Sequence, residues 1–159
     1  MTILSGWQEQ YERMLRSHKR LTNIASGQLM ASSDEARDAL FHFFQDAYHV
    51  KDWIKNDPSA STSHVEEFIN AAGPLRICAD LCNGTKHFGI QRPRTGDSST
   101  AFTAQSVTVR PATVGSGRSA DPHLHGWRVE SEGQSYEAIE LADSVVSEWR
   151  GWLTIRGLL

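Results

Sequence analysis

Leu4, Trp7, Tyr11, Met14, His18, Leu21 and Ala25 recur at alternating spacings of three and four, which on an α-helix is an apolar stripe about six turns long. A stripe of that length has to be covered, so the chain must supply further helices to pack against it. The spacing predicts a first helix over residues 5–29. Ser32-Ser33-Asp34 followed by Glu35 offers hydroxyl and carboxylate groups suited to a helix N-terminus, and Phe41, Phe44, Tyr48 and Lys51 carry a second amphipathic pattern toward Asn56-Asp57-Pro58. A third helical stretch, Val65 to Ala72, is interrupted by Gly73-Pro74, and the proline suits the first turn of a new helix from Leu75 to Lys86 that ends near Gly89.

Past Gly89 the character changes. Residues 91–99 are rich in Arg, Pro, Gly and Ser, after which Gln105 to Arg110 alternates and is β-branched, the pattern of a strand. Trp127 to Ser131 and Ser135 to Glu137 flank Glu132-Gly133 as a hairpin would. From Ile139 the helical period resumes through Leu141, Val145, Trp149, Trp152 and Leu153. The expected architecture is α+β, mainly α: a four-helix bundle with a small antiparallel β-sheet, residues 100–137, inserted before the last helix of a single domain spanning 1–159.

Two polar stripes interrupt the apolar pattern. His42, Asp46, His49 and Trp53 fall at i, i+4, i+7 and i+11, and Asp80, Asn83 and His87 at i, i+3 and i+7, each along one side of its helix. Carboxylates and imidazoles are costly to bury unpaired. If the two helices run antiparallel their stripes can face one another, and Asp46 or Asp80 would orient His49 or His87 as a general base. The same groups could instead form a buried network that only locks the helices in register. As a metal site, Asp46, His49, Asp80 and His87 make an acceptable ligand inventory, but H-E-x-x-H is absent and D-x-x-H occurs once, so no bound metal is expected. His123-Leu-His125 reads as exposed loop.

Sixteen Lys and Arg against nineteen Asp and Glu leave a net charge of −3, so any contact with nucleic acid must be a local patch. Lys86, Arg92, Arg94 and Arg110 form such a basic run just past the second stripe, where a phosphate backbone could lie beside His87. Trp53, Trp149 and Trp152 at helical spacing read as core, and Cys78 and Cys82, lacking a CxxC spacing, as small buried residues. There is no Walker loop, no G-x-S-x-G and no G-x-G-x-x-G, so no cofactor is expected. No apolar run reaches membrane-spanning length and the first ten residues turn polar early, which points to a cytoplasmic chain without membrane contact.

Cys82-Asn83-Gly84-Thr85-Lys86-His87 resembles the R-N-x-x-x-H form of the motif of HEPN-domain proteins, with Cys82 at the arginine position. That resemblance implies an all-helical core associated with RNA cleavage in toxin and defence settings. It also implies a metal-independent ribonuclease site assembled by a homodimer. His87 would be the acid/base group, Asn83 its polar partner and Lys86 part of the site, with Asp80, Asp46 and His49 as supporting groups. The rival expectation is a non-catalytic module that binds a protein partner and uses the polar stripes structurally, and a third is a metal-dependent hydrolase, which the ligand inventory permits.

Overall fold

The computed structural model describes residues 5–60, 64–109 and 123–159. Five helices, α1 (Trp7–Ala25), α2 (Ser33–Asn56), α3 (Val65–Ala71), α4 (Gly73–His87) and α5 (Ala138–Ile155), surround one buried core, and strands β1 (Ala101–Val109), β2 (His123–Ser131) and β3 (Gln134–Glu137) precede the last helix. The architecture is α+β and mainly α, as the periodicity predicts.

Helix boundaries follow the local chemistry. Ser32 caps α2 through a reciprocal box: its hydroxyl accepts from the Glu35 amide at 3.2 Å, and its own amide donates to the Glu35 carboxylate at 2.8 Å. That bonding holds the Glu35 pKa below its ordinary value. The break between α3 and α4 falls at Ala72 (ψ 111°), and Pro74 sits in the first turn of α4, where its missing N–H costs nothing. Glu137 caps α5 with its carboxylate on the Glu140 amide at 2.9 Å. Helix α1 stops at Ala25, short of the expected residue 29, because the chain turns through Ser26 and Gly27, the latter at φ 77°.

The core is aromatic at its centre. Phe43 and Phe44 on α2 meet edge to face at 5.0 Å, while Trp149 and Trp152 on α5 bracket Phe68 of α3 at 5.4 and 4.9 Å. The Trp149 indole N–H donates to the Ala47 carbonyl at 3.0 Å, which docks α5 on α2 at a defined depth.

The sheet has the order β1-β2-β3 and is antiparallel throughout. Its middle strand alternates strictly: His125, Trp127, Val129 and Ser131 are buried, and β2 leans on α1 and α5. The β2–β3 turn places Glu132 (φ 52°) and Gly133 (φ 73°) both at positive φ, the geometry that a two-residue hairpin requires. Glu132 tolerates it because its amide donates to the Asp97 carboxylate at 2.7 Å. The expectation of a loop at His123-Leu-His125 is corrected: both histidines are in β2, and the buried His125 bonds through Nε2 to the Ala31 carbonyl at 3.2 Å.

Candidate functional site

The two polar stripes do not meet. Asp46 faces α1, where its carboxylate accepts from the Ser17 hydroxyl and from Gln10 Nε2 at 3.4 Å, and Gln10 also donates to the Asp46 carbonyl at 2.9 Å. Further along the same stripe, the Arg13 guanidinium lies over the Trp53 ring at 5.6 Å. At about 100° per residue, Tyr48 is some 200° round the helix from Asp46. It is this other flank, with Tyr48 and Lys51, that meets α3 and the loop after α4. His49 is half-buried and His42 exposed. The expectation that Asp46 supports His87 is therefore corrected, because its carboxylate is taken by Ser17 and Gln10 of α1.

Asp80 is fully buried on α4 but holds the chain rather than an imidazole. Its carboxylate accepts from the Arg94 amide at 2.8 Å, the Thr95 amide at 3.0 Å and the Thr95 hydroxyl at 2.6 Å. Those three donors pin the segment leaving α4 against the helix. The bonding continues through Thr95 and Thr100 (3.3 Å) to Ser131 of β2 (2.7 Å), which ties the sheet to the bundle.

Arg94 is likewise committed. Its guanidinium binds Glu66 at 2.6 Å, Asn70 at 2.8 Å and the Tyr48 hydroxyl at 3.3 Å. Glu66 also accepts from Lys55 at 3.0 Å and Lys51 at 3.4 Å. Burial works to raise the Glu66 pKa, yet the bonds from Arg94 and Lys55 and the charge of Lys51 overcome it and hold the group at about 2. Three of the five guanidinium N–H donors of Arg94 are thus engaged in a bundle contact, a structural role that the expectation of an RNA-binding Arg94 did not include. Arg110 lies outside the described residues.

What remains open is the C-terminal end of α4. Asn83 is half-buried there, one turn behind His87, and both line a groove of about 810 Å³ with Phe88, Gly89, Ile90, Gln91 and Arg92. Lys86, His87 and Arg92 are exposed, and the charge of Lys86 in the last turn complements the negative end of the helix dipole. Phe88 is the residue that reading the sequence missed. It is the C-cap of α4 at φ 57°, a conformation a bulky side chain rarely adopts, and its ring stands wholly in solvent. The signal was an aromatic residue immediately after Lys86-His87 and before Gly89, at a helix end.

Cys82, at the arginine position of the resemblance, is 2% exposed and points into the protein. Burial pushes its thiol up to about 11, and that of the buried Cys78 well above the usual range. Both thiols are therefore protonated and inert at neutral pH. Among the described residues no three His, Cys, Asp or Glu side chains gather as a metal site, so Asp46, His49, Asp80 and His87 do not come together as one. No described helix is long and apolar enough to cross a membrane. No family model, curated protein or solved structure shows significant similarity to the chain.

Proposed function

We propose that this chain is a HEPN-like module that binds single-stranded RNA across the end of α4, with binding stronger than any cleavage. The observation that carries the reading is Phe88, a bare aromatic ring held at the rim of a polar groove between two exposed cations, Lys86 and Arg92. A single-stranded base has a π-face that such a ring can stack upon, and the phosphates on either side of it need positive charge nearby. Asn83 supplies an amide that can donate to and accept from a base edge. His87 lines the same groove and would take a proton from a ribose 2′-hydroxyl or give one to a leaving oxygen. The weak element is charge stabilisation. With Cys82 turned inward, no guanidinium beside Asn83 receives the negative charge that develops on the phosphate, so cleavage would be slow.

The test is fluorescence anisotropy of a short labelled single-stranded RNA with the full chain across a salt series. Stacking on one aromatic contributes about 1–3 kcal/mol, so Phe88→Ala should weaken binding by about 5- to 150-fold. Two phosphate contacts at about 0.7 each for a single strand predict a log–log salt slope near −1.4, and Lys86→Ala should roughly halve it. RNA binding that is absent at low salt, or unchanged in both variants, would refute the proposal and leave the protein-interaction reading.

A further inference from the structure

The two edges of the sheet are treated differently by the sequence. On one side β3 is four residues long, ends in Glu137 and passes directly into α5, so little of its edge is offered to another chain. On the other side β1 runs nine residues, Ala-Phe-Thr-Ala-Gln-Ser-Val-Thr-Val, with no charged residue and no proline. Charges, prolines, short length and bulges are means by which proteins protect a sheet edge, and β1 has only a bulge between Phe102 and Ala104, which leaves Gln105 to Val109 regular and uncharged.

Among the described residues β1 pairs with β2 alone. In an antiparallel ladder every second residue turns its N–H and C=O away from the partner strand, so the outer edge of β1 presents a row of donors and acceptors. The strand is anchored at one end only. Phe102 packs on Phe41 and Phe44 at 5.5 Å, and Gln105 Nε2 donates to the Ser33 carbonyl at 3.0 Å, but residues 103–109 are all exposed. The register places Gln105 opposite the buried Trp127 and Val107 opposite the buried His125, so Gln105, Val107 and Val109 share the face toward the helices. Val107 and Val109 are nonetheless 42% and 50% exposed. Apolar side chains are held out where the bundle does not reach.

We propose that the outer edge of β1 is the surface through which two copies of this chain associate, strand against antiparallel strand about a two-fold axis, to give one continuous six-stranded sheet. The occupant is argued from charge and symmetry. A strand without charges can pair with itself without setting like charges opposite one another, whereas it offers nothing to select a charged peptide. An antiparallel self-pair is isologous, so every donor on one edge meets an acceptor on its copy, and the axis stands perpendicular to the sheet. Residues directly across then lie on the same face, which brings Val107 and Val109 of both chains together. Strand pairing alone buries less than the ~1,200 Å² of a stable interface, so the expected dissociation constant is about 1 µM to 1 mM.

Sedimentation equilibrium of the full chain up to ~1 mM tests this. The wild type is expected to dimerise. Val107→Lys would set two ammonium groups across the axis and should weaken the dimer at least about tenfold, while circular dichroism shows the monomer fold intact. Thr108→Lys, on the opposite and equally exposed face, makes the same test if the first variant is poorly folded. Mixing Val107→Lys with Val107→Glu should restore association as a heterodimer. A wild type that stays monomeric throughout, or a dimer indifferent to both lysine variants, would overturn the proposal.

Discussion

Asp80→Ala is the sharpest test of how α4 and the sheet are joined. Asp80 is fully buried, and its two oxygens take the Arg94 amide, the Thr95 amide and the Thr95 hydroxyl at 2.6–3.0 Å. Hydrogen bonds to a charged group contribute about 1.5–3 kcal/mol each, but the three share one carboxylate and are not additive. Truncation also leaves the Arg94 and Thr95 backbone N–H groups without their acceptor. A loss of about 3–5 kcal/mol follows, the range seen when one partner of a buried charged group is removed. For a chain of this size each kcal/mol moves Tm by about 2–4 °C, so a fall of about 6–20 °C is expected. Differential scanning calorimetry and urea unfolding should agree on it. Asp80→Asn keeps one acceptor but turns an NH₂ toward a donor, and should lie between the two at about 1–3 kcal/mol. Because Asp80 holds the chain that forms one wall of the groove, Asp80→Ala should also raise hydrogen exchange in residues 88–96. A variant melting within about 1 °C of wild type would refute the reasoning, for it would mean that water already satisfies those donors.

Glu66 predicts a pH dependence whose sign is set by its depressed pKa of about 2 against an ordinary 4.5. Its stabilising contribution is complete above pH 4.5 and is lost as the pH falls through 4.5 toward 2, and Glu66→Gln should flatten that acid limb in urea midpoints taken from pH 6 to 2. Cys82→Arg, which would complete the HEPN-like motif, should fail to give a cooperative fold, since the site is 2% exposed and a bulky guanidinium would be forced in beside the charges of Lys86 and Lys51 with only the Asp52 carboxylate to offset them. A thermal melt as sharp as wild type would contradict this, and a thiol reagent that labels Cys78 or Cys82 before denaturation would contradict the burial of the native thiols.

The site consequently divides into parts with different work. Asp46, Asp80 and Arg94 carry side chains whose hydrogen bonds go to helix packing and chain anchoring. Asn83, Lys86, His87 and Arg92 are the groups left facing solvent, and Phe88 joins them. An acid/base role for His87 would have to be performed without a carboxylate behind the ring, because the nearest candidates named by the sequence are bonded elsewhere.

Local chemistry was legible in the sequence wherever one segment decides it alone. The three-and-four spacing of α1, the Ser32–Glu35 box, the Gly73-Pro74 break and the Glu132-Gly133 turn depend on residues a few positions apart, and each appears where the pattern places it. The order of helices and the sheet before α5 follow from where the period switches between 3.6 and 2. Which flank of α2 meets which neighbour was decided only by tertiary structure. Its core face runs through Leu40, Phe43, Ala47, Val50 and Ile54, so a polar stripe on either border is equally compatible with burial of that face. Packing of α1 against one border took Asp46 to Ser17 and Gln10, and closure of α3 and the following loop on the other gave Lys51 and Arg94 to Glu66. Likewise, nothing within α4 says that Asp80 will receive amides from Arg94 and Thr95, fourteen and fifteen positions away, because that bond exists only once the loop has folded back. Periodicity is a property of one helix, whereas the partner of a buried charge is a property of two segments brought together by a core that neither contains alone.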